Sequence, residues 1–387
     1  MSSTLPPSFA RLPEILIPAT CEGISRAAHL LAAGKIVILP TETVYGIALS
    51  LRHSETRKRV KTLKNLADHP GWVIHTGSTD AIFSWTKTIA SVPRRLIVRS
   101  LPGPVAFQVK LSAADLDAAR ARLSDGSSED AADETLIDGT LSLRCPDQPH
   151  ALEILSHPSL RDHPIAILGA GLPGAPPVCE FEDIPEATLA QVDGALDAGP
   201  TRYRKPSTLV HIDGPNFSVT RPGVIDARII DRLADFVILF VCTGNTCRSP
   251  MAAGIASTLI ARRLAVEPSK LADRHVVVQS AGVHAYRGNR ATHEAVDVVR
   301  SLGVNLSHHL SQPITPELLR RADVIYTMTS AHRDEVLQLS PEAQNKTFCL
   351  DPDSDIEDPI GAGAGTYLKV ADRLSALIER RLDEWSL

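Results

Sequence analysis

Phe236-Val-Ile-Leu-Phe-Val-Cys242-Thr-Gly-Asn-Thr-Cys-Arg248-Ser-Pro-Met-Ala252 decides how the second half of this chain is read. Six apolar residues of high β propensity predict a buried strand. A short polar loop follows, and Ser249-Pro250 opens a run to about Leu264 that predicts a helix. A strand entering a loop that ends at a helix N-terminus is an anion site, because unpaired backbone N–H groups and the helix dipole converge on the loop. Cys242 sits where that field favours thiolate over thiol. Arg248 is placed to hold two oxygens of a phosphate in a bidentate pair. A bare C-x5-R is equally a strand-end cysteine with a surface arginine, and the strand–loop–helix setting separates the two readings.

The chain has 387 residues, more than one core usually serves, so two domains are expected. Its hydrophobic content of 43% and charged content of 22% are those of an ordinary soluble globular protein. A net charge of −5 supplies no global basic field for nucleic acid or a membrane surface, although local basic grooves remain open. Cys21, Cys145, Cys179, Cys242, Cys247 and Cys349 are too sparse for a disulfide framework, and no C-x-x-C or His-rich spacing calls for zinc. No apolar run approaches the ~18 residues of a membrane span. The opening Met1-Ser-Ser-Thr-Leu-Pro-Pro lacks the basic start and apolar core of a signal peptide. A cytoplasmic location, where a catalytic thiol stays reduced, is expected.

After the helix from 251, strands are predicted at His275–Gln279, Asp323–Met328 and Thr347–Leu350, with helices at Thr292–Leu302, Thr315–Ala322, Ala331–Leu339 and Thr366–Trp385. Strand and helix alternate through short loops, which predicts a doubly wound parallel sheet with ligands at the strands' C-terminal edge. The polar Ser280-Ala-Gly-Val-His-Ala-Tyr286 lies at one such edge, and the acidic Asp351 to Asp358 at another.

In the first half a helix is expected over Ile24–Ala33, then a buried strand over Lys35–Leu39 that runs into Pro40-Thr-Glu-Thr-Val-Tyr-Gly46. Thr41, Glu42, Thr43 and Tyr45 there make a polar rim at a strand's end, a ligand position in α/β folds. Lys61-Thr-Leu-Lys64, Pro70, a strand at 71–75, Leu101-Pro-Gly-Pro-Val105, Leu141-Ser-Leu-Arg144-Cys-Pro146, Pro206-Ser207-Thr208 and Arg221-Pro222-Gly223 follow in order. Ser112 to Glu134 predicts a helix and an exposed loop, weakly ordered at Ser124–Glu129.

In that order, residues 12–228 resemble the YrdC family, which forms threonylcarbamoyl-adenylate from threonine, bicarbonate and ATP for tRNA modification. The quoted PTETVYG, PGP, R-x-P, ST-x-V and RPG carry the resemblance. It implies a twisted α/β sheet around a deep basic cavity, and a nucleotide or threonine pocket from Thr41, Glu42, Thr43, Tyr45, Lys64, Arg144, Ser207 and Arg221. It further implies ATP with magnesium as cofactor, and a nucleotide or RNA, double-stranded RNA included, as partner. This chain departs from the pattern at several donors. The family's K-x-R appears as Lys64-Asn65-Leu66, its S-x-N falls within Ala166–Gly171, and Ala106 and Gln148 replace a threonine and a histidine. Each unmatched partner is worth ~1–3 kcal/mol. A weakened synthase and a binding module derived from one both stay open.

Residues 235–387 resemble the low-molecular-weight phosphotyrosine phosphatase family through VCTGNTCRSPMA, QSAGVHA, ADVIYTMTSAHRD and DPIG. The resemblance implies a four-stranded doubly wound sheet and a reaction through a cysteinyl-phosphate, with no metal or cofactor. Cys242 is the nucleophile. Backbone N–H groups of the phosphate-binding loop, Thr243, Gly244, Asn245, Thr246 and Cys247, hold oxygens together with Arg248. Ser249 bonds the sulfur, Asn245 braces the loop, and Asp358 before Pro359 is the general acid and then the base. Cys247 is either a reversible disulfide partner of Cys242 or a small buried residue. Specificity falls to Thr246, Tyr286 and Ile360. Tyrosine-directed members commonly carry aromatic residues after D-P, where this chain has Ile360 and Gly361. Arginine-directed members resemble this chain in having a threonine at position 246.

The expected function is therefore hydrolysis of a phosphorylated protein, with phosphoarginine favoured over phosphotyrosine. Two further readings are a bifunctional chain that also makes threonylcarbamoyl-AMP, and a non-catalytic nucleotide- or RNA-binding regulator.

Overall fold

In the computed structural model, which describes residues 12–66, 71–124 and 131–385, the chain divides into two units, one running to Leu233 and one from Ala234 to Leu387. The Pro-rich leader, Pro70 and most of the loop expected at Ser124–Glu129 lie outside the described residues.

The second unit runs β1 (Phe236–Cys242), α1 (Arg248–Arg263), β2 (Val276–Gly282), α2 (His293–Arg300), α3 (Pro316–Arg321), β3 (Val324–Thr327), α4 (Ser330–Leu339), β4 (Thr347–Cys349) and α5 (Ala364–Arg381). Its sheet has the order β2-β1-β3-β4 with every pairing parallel, the doubly wound arrangement that the alternation predicts. Alternate residues of β1 feed two cores. Ile238, Phe240 and Cys242 pack with Met251, Ile255, Leu374 and Trp385, whereas Val237, Leu239 and Val241 pack with Leu319 and Val336. Burial on both faces is why β1 reads as one unbroken apolar run. Three helices begin on threonine caps, Thr292, Thr315 and Thr329, whose hydroxyls each accept an N–H of the first turn. The final helix stops at Arg381, short of the expected Trp385, and the Trp385 indole N–H instead donates to the buried Tyr326 hydroxyl at 3.1 Å. In register, Cys242 lies beside Gly282 and Val241 beside Thr327. The loops leaving three adjacent strands thus meet at one edge of the sheet.

Among the described residues the first unit is a mixed sheet of ten strands, including Val37–Pro40, Tyr45–Ser50, Val73–His75, Val105–Lys110, Thr140–Arg144, Ile165–Gly169, Thr208–Asp213 and Asn216–Arg221. One helix, Cys21–Ala32, packs Ala27, Ala28 and Leu31 against Val37, Leu39 and Ala48. The expected PTETVYG loop is instead a hairpin. Pro40 pairs with Tyr45 across an antiparallel turn that the Thr41 hydroxyl closes, accepting from Thr43 N and Val44 N. Tyr45 to Ser50 then form a strand buried along its whole length. Thr140–Arg144 and Ile165–Gly169 are likewise interior strands. No described helix is long and apolar enough to cross a membrane.

Candidate active site

The loop from Cys242 to Ser249 is held from outside by its carbonyls. Val283 N donates to Cys242 O at 2.9 Å, His284 N to Thr243 O at 3.0 Å, the His309 ring to Asn245 O at 2.8 Å and Thr292 N to Thr246 O at 2.8 Å. With these carbonyls turned outward, the loop's N–H groups are left for whatever sits inside it. Asn245 makes the sharpest bend, in the left-handed region at φ 55. Its amide donates to Ser249 Oγ and Ser280 Oγ, both at 2.9 Å, while its carbonyl oxygen accepts from Gln312 N at 2.9 Å. These bonds secure a backbone conformation that costs an ordinary residue energy. Gly282 beside the loop has no room for a side chain, since a Cβ there would lie 2.4 Å from Thr243 O and 2.9 Å from Asn245 N.

Cys242 is fully buried, and its Sγ lies 2.9 Å from Ser249 Oγ. Ser249 Oγ accepts from Asn245, so its own proton is available to the sulfur or to Ala281 O at 3.2 Å. Arg248 is buried. One of its terminal nitrogens donates to Ile356 O at 3.0 Å, and the other to Thr243 Oγ1 at 3.3 Å and to Asp358 Oδ2. Its Nε is buried and unpartnered among the described residues. An unpaired buried N–H is costly, and an oxyanion in the loop would satisfy it. Asp358 Oδ1 accepts from Ile360 N at 3.2 Å and faces Cys247 Sγ at 3.7 Å. Burial, with Cys242 and Asp358 nearby, pushes the Cys247 thiol up to about 12. Ile360 is 62% exposed and Tyr286 82% exposed, so each presents its apolar surface to solvent. Thr246 is half-buried.

Four residues support this loop that the sequence reading did not single out: Ser280, His309, Gln312 and His332. Ser280 and His332 stood inside quoted motifs without a role, and His309 and Gln312 stood in Ser307-His-His-Leu-Ser-Gln312, a polar stretch between apolar runs. His332 bridges Thr243 Oγ1 through Nε2 and Thr329 Oγ1 through Nδ1, both at 2.8 Å. Burial and then Arg248 lower its pKa from 6.5 to about 4, against the opposing pull of Asp358 and Asp355. The unfolded chain therefore binds a proton near 6.5 that the folded chain refuses until about pH 4. Stability from the neutral ring is complete above that window and is lost as pH falls through it. Substituting His332→Gln is expected to flatten the fall in melting temperature across that interval; an unchanged slope would assign the acid sensitivity to other groups.

In the first unit Thr41, Thr43, Lys64, Arg144, Ser207 and Arg221 line one cavity of about 430 Å³. Tyr45 and Glu42, expected beside them, are not among the residues lining it. Tyr45 is fully buried in its strand, and its hydroxyl donates to Gly199 O at 2.8 Å and Asp197 Oδ1 at 3.1 Å. Glu42 lies behind the wall, accepting from Arg144 Nη2 at 2.7 Å and Asp147 N at 3.0 Å. His75 also lines the cavity, and burial with Arg144 nearby pushes it down to about 3.

The second unit is thus an α/β sheet whose edge holds a cysteine, an arginine and an aspartate around an anion-sized loop. Its residues 237–386 match the family described as low molecular weight phosphotyrosine protein phosphatase, and residues 29–223 match the Sua5, YciO and YrdC family described as telomere recombination. The chain belongs to both families, as a fusion of the two domains. Similar proteins include a protein-arginine-phosphatase of Geobacillus stearothermophilus, 40% identical over 148 residues, covering 37% of this chain and 91% of the relative. The low molecular weight protein-tyrosine-phosphatase Etp of Escherichia coli K12 is 34% identical over 152 residues, 38% of this chain and 91% of the relative. For the first unit, a threonylcarbamoyl-AMP synthase of Bacillus subtilis is 26% identical over 208 residues, 54% of this chain; the match spans only 55% of that relative.

Proposed function

We propose that residues 235–387 are a protein phosphatase that works through a cysteinyl-phosphate and that its favoured substrate is protein phosphoarginine. The observation that carries the chemistry is the convergence of Cys242, Ser249, Arg248 and Asp358 on one loop whose carbonyls face outward. Cys242 Sγ attacks phosphorus as the bond to the leaving nitrogen breaks, and Asp358 gives that nitrogen a proton. Water then attacks the phosphorus of the cysteinyl-phosphate, Asp358 takes the proton, and the S–P bond breaks to free phosphate and thiolate. Arg248 and the loop N–H groups hold the oxygens through both steps.

The arginine preference is supported by the residues around the mouth. Beside Asp358 stands Ile360, an exposed aliphatic side chain that offers no ring to stack on a phenyl group. Thr246 supplies a hydroxyl able to accept from a guanidinium. The name of the relative that is 40% identical points the same way. Phosphotyrosine is the second reading, favoured by the open Tyr286 ring. Turnover of protein phosphoarginine and protein phosphotyrosine by the wild type and by Thr246→Ile separates them. The wild type is expected to prefer phosphoarginine, and the substitution to lower that preference by about tenfold or more. A wild type that prefers phosphotyrosine, with Thr246→Ile changing nothing, would sink the arginine reading.

A further inference from the structure

The family of the first unit uses ATP, and the cavity there is a poor fit for it. Lys64, the lysine of the nucleotide motif, is turned onto its own chain, donating to Gly169 O at 2.6 Å and to Gly171 O. The wall beside it is Leu66, Ile167, Leu168, Leu172 and Val178, and Ala106 stands where a hydroxyl is expected. A polyphosphate laid there would lose water and gain few donors.

Arg144 and Arg221, which line the same cavity, are set differently. Arg144 is buried, with Nη2 bonded to Glu42 Oε1 at 2.7 Å and Thr43 Oγ1 at 2.8 Å. Its Nε is buried and has no partner among the described residues. Arg221 reaches the same wall, held by Ser207 O at 3.2 Å, with Ser207 Oγ at 3.5 Å. Glu42 neutralises one guanidinium and leaves the other, and among the described wall residues there is no Asp or Glu. A buried, unpaired guanidinium N–H beside a second guanidinium and two hydroxyls is a receptor for one small oxyanion. A volume of about 430 Å³ lined mainly by aliphatic side chains is suited to an apolar body attached to it. We propose that this cavity binds a small organic carboxylate with an apolar body, its head on Arg144 and Arg221, in place of ATP.

The test is calorimetric titration of the full chain carrying Arg248→Met, which silences the phosphatase loop. The probes are 4-methylpentanoate, benzoate, inorganic phosphate, threonine and ATP with magnesium. Saturable binding is expected for at least one of the two carboxylates, with a Kd on the order of millimolar or tighter. That binding should weaken at least tenfold on adding Arg144→Met. Because Arg144 is part of a buried pair, Arg221→Gln provides a second variant at an exposed residue, with the same direction expected. Tighter binding of ATP, threonine or inorganic phosphate than of either carboxylate overturns the proposal. So does the absence of carboxylate binding, or carboxylate binding indifferent to Arg221→Gln.

Discussion

Cys242→Ser is expected to lower turnover of an aryl phosphate by on the order of 10⁴-fold or more while the chain still folds and still binds inorganic phosphate. The reasoning starts from volume and ends at protonation. Cys242 ends a strand buried on both faces, and serine replaces one small side chain by another there. The loop around it is kept by bonds that do not involve the sulfur: the four outward carbonyls and the amide of Asn245. Binding of the oxyanion by Arg248 and the loop therefore survives. What is lost is the proposed nucleophile. A thiol ionises far more readily than a hydroxyl, so serine would need a base, and the side chain bonded to Sγ, that of Ser249, is another hydroxyl. Turnover of p-nitrophenyl phosphate and phosphate binding by calorimetry check this together. Activity within tenfold of the wild type would place the hydrolysis elsewhere in the chain.

The parts of this molecule that could be read from its sequence are those where local and global demands agree. The run from Phe236 to Val241 is apolar throughout because both faces of β1 are buried, and it is followed at once by the loop it positions. The N-terminal sheet was less legible for a physical reason. Tyr45 to Ser50 follows a turn closed by the hydroxyl of Thr41, which looks like loop composition until the pairing with Val37–Pro40 is seen. Tyr45 stands in the motif that most resembles a ligand rim, yet its hydroxyl pins Gly199 and Asp197 inside the fold. A side chain in a strand points to one face or the other, and a motif does not say which. The supports of the phosphatase loop were hidden differently. Ser280, His309, Gln312 and His332 are 31 to 83 positions beyond Ser249, and the parallel register of β1 with β2 and β3 gathers them.

Asp358→Asn is expected to slow the reaction by about 10²- to 10⁴-fold, with the loss depending on the leaving group. Asp358 stands over the loop with its side chain 39% exposed, tied to Arg248 by one oxygen and to Ile360 N by the other at 3.2 Å. In the proposed reaction it would pass a proton from there to the leaving atom as Cys242 attacks phosphorus. Asparagine fills the same space and can still accept from Ile360 N, but it has no proton to give at neutral pH. p-Nitrophenolate departs readily without one, so its release should suffer towards the lower end of that range. The guanidine nitrogen of phosphoarginine must be protonated as it leaves, and should suffer towards the upper end. If both substrates lose rate equally, the carboxylate acts by holding Arg248 in place, because a group that only orients the arginine affects every phosphate alike, whereas a group that passes a proton discriminates by how much the leaving atom needs one.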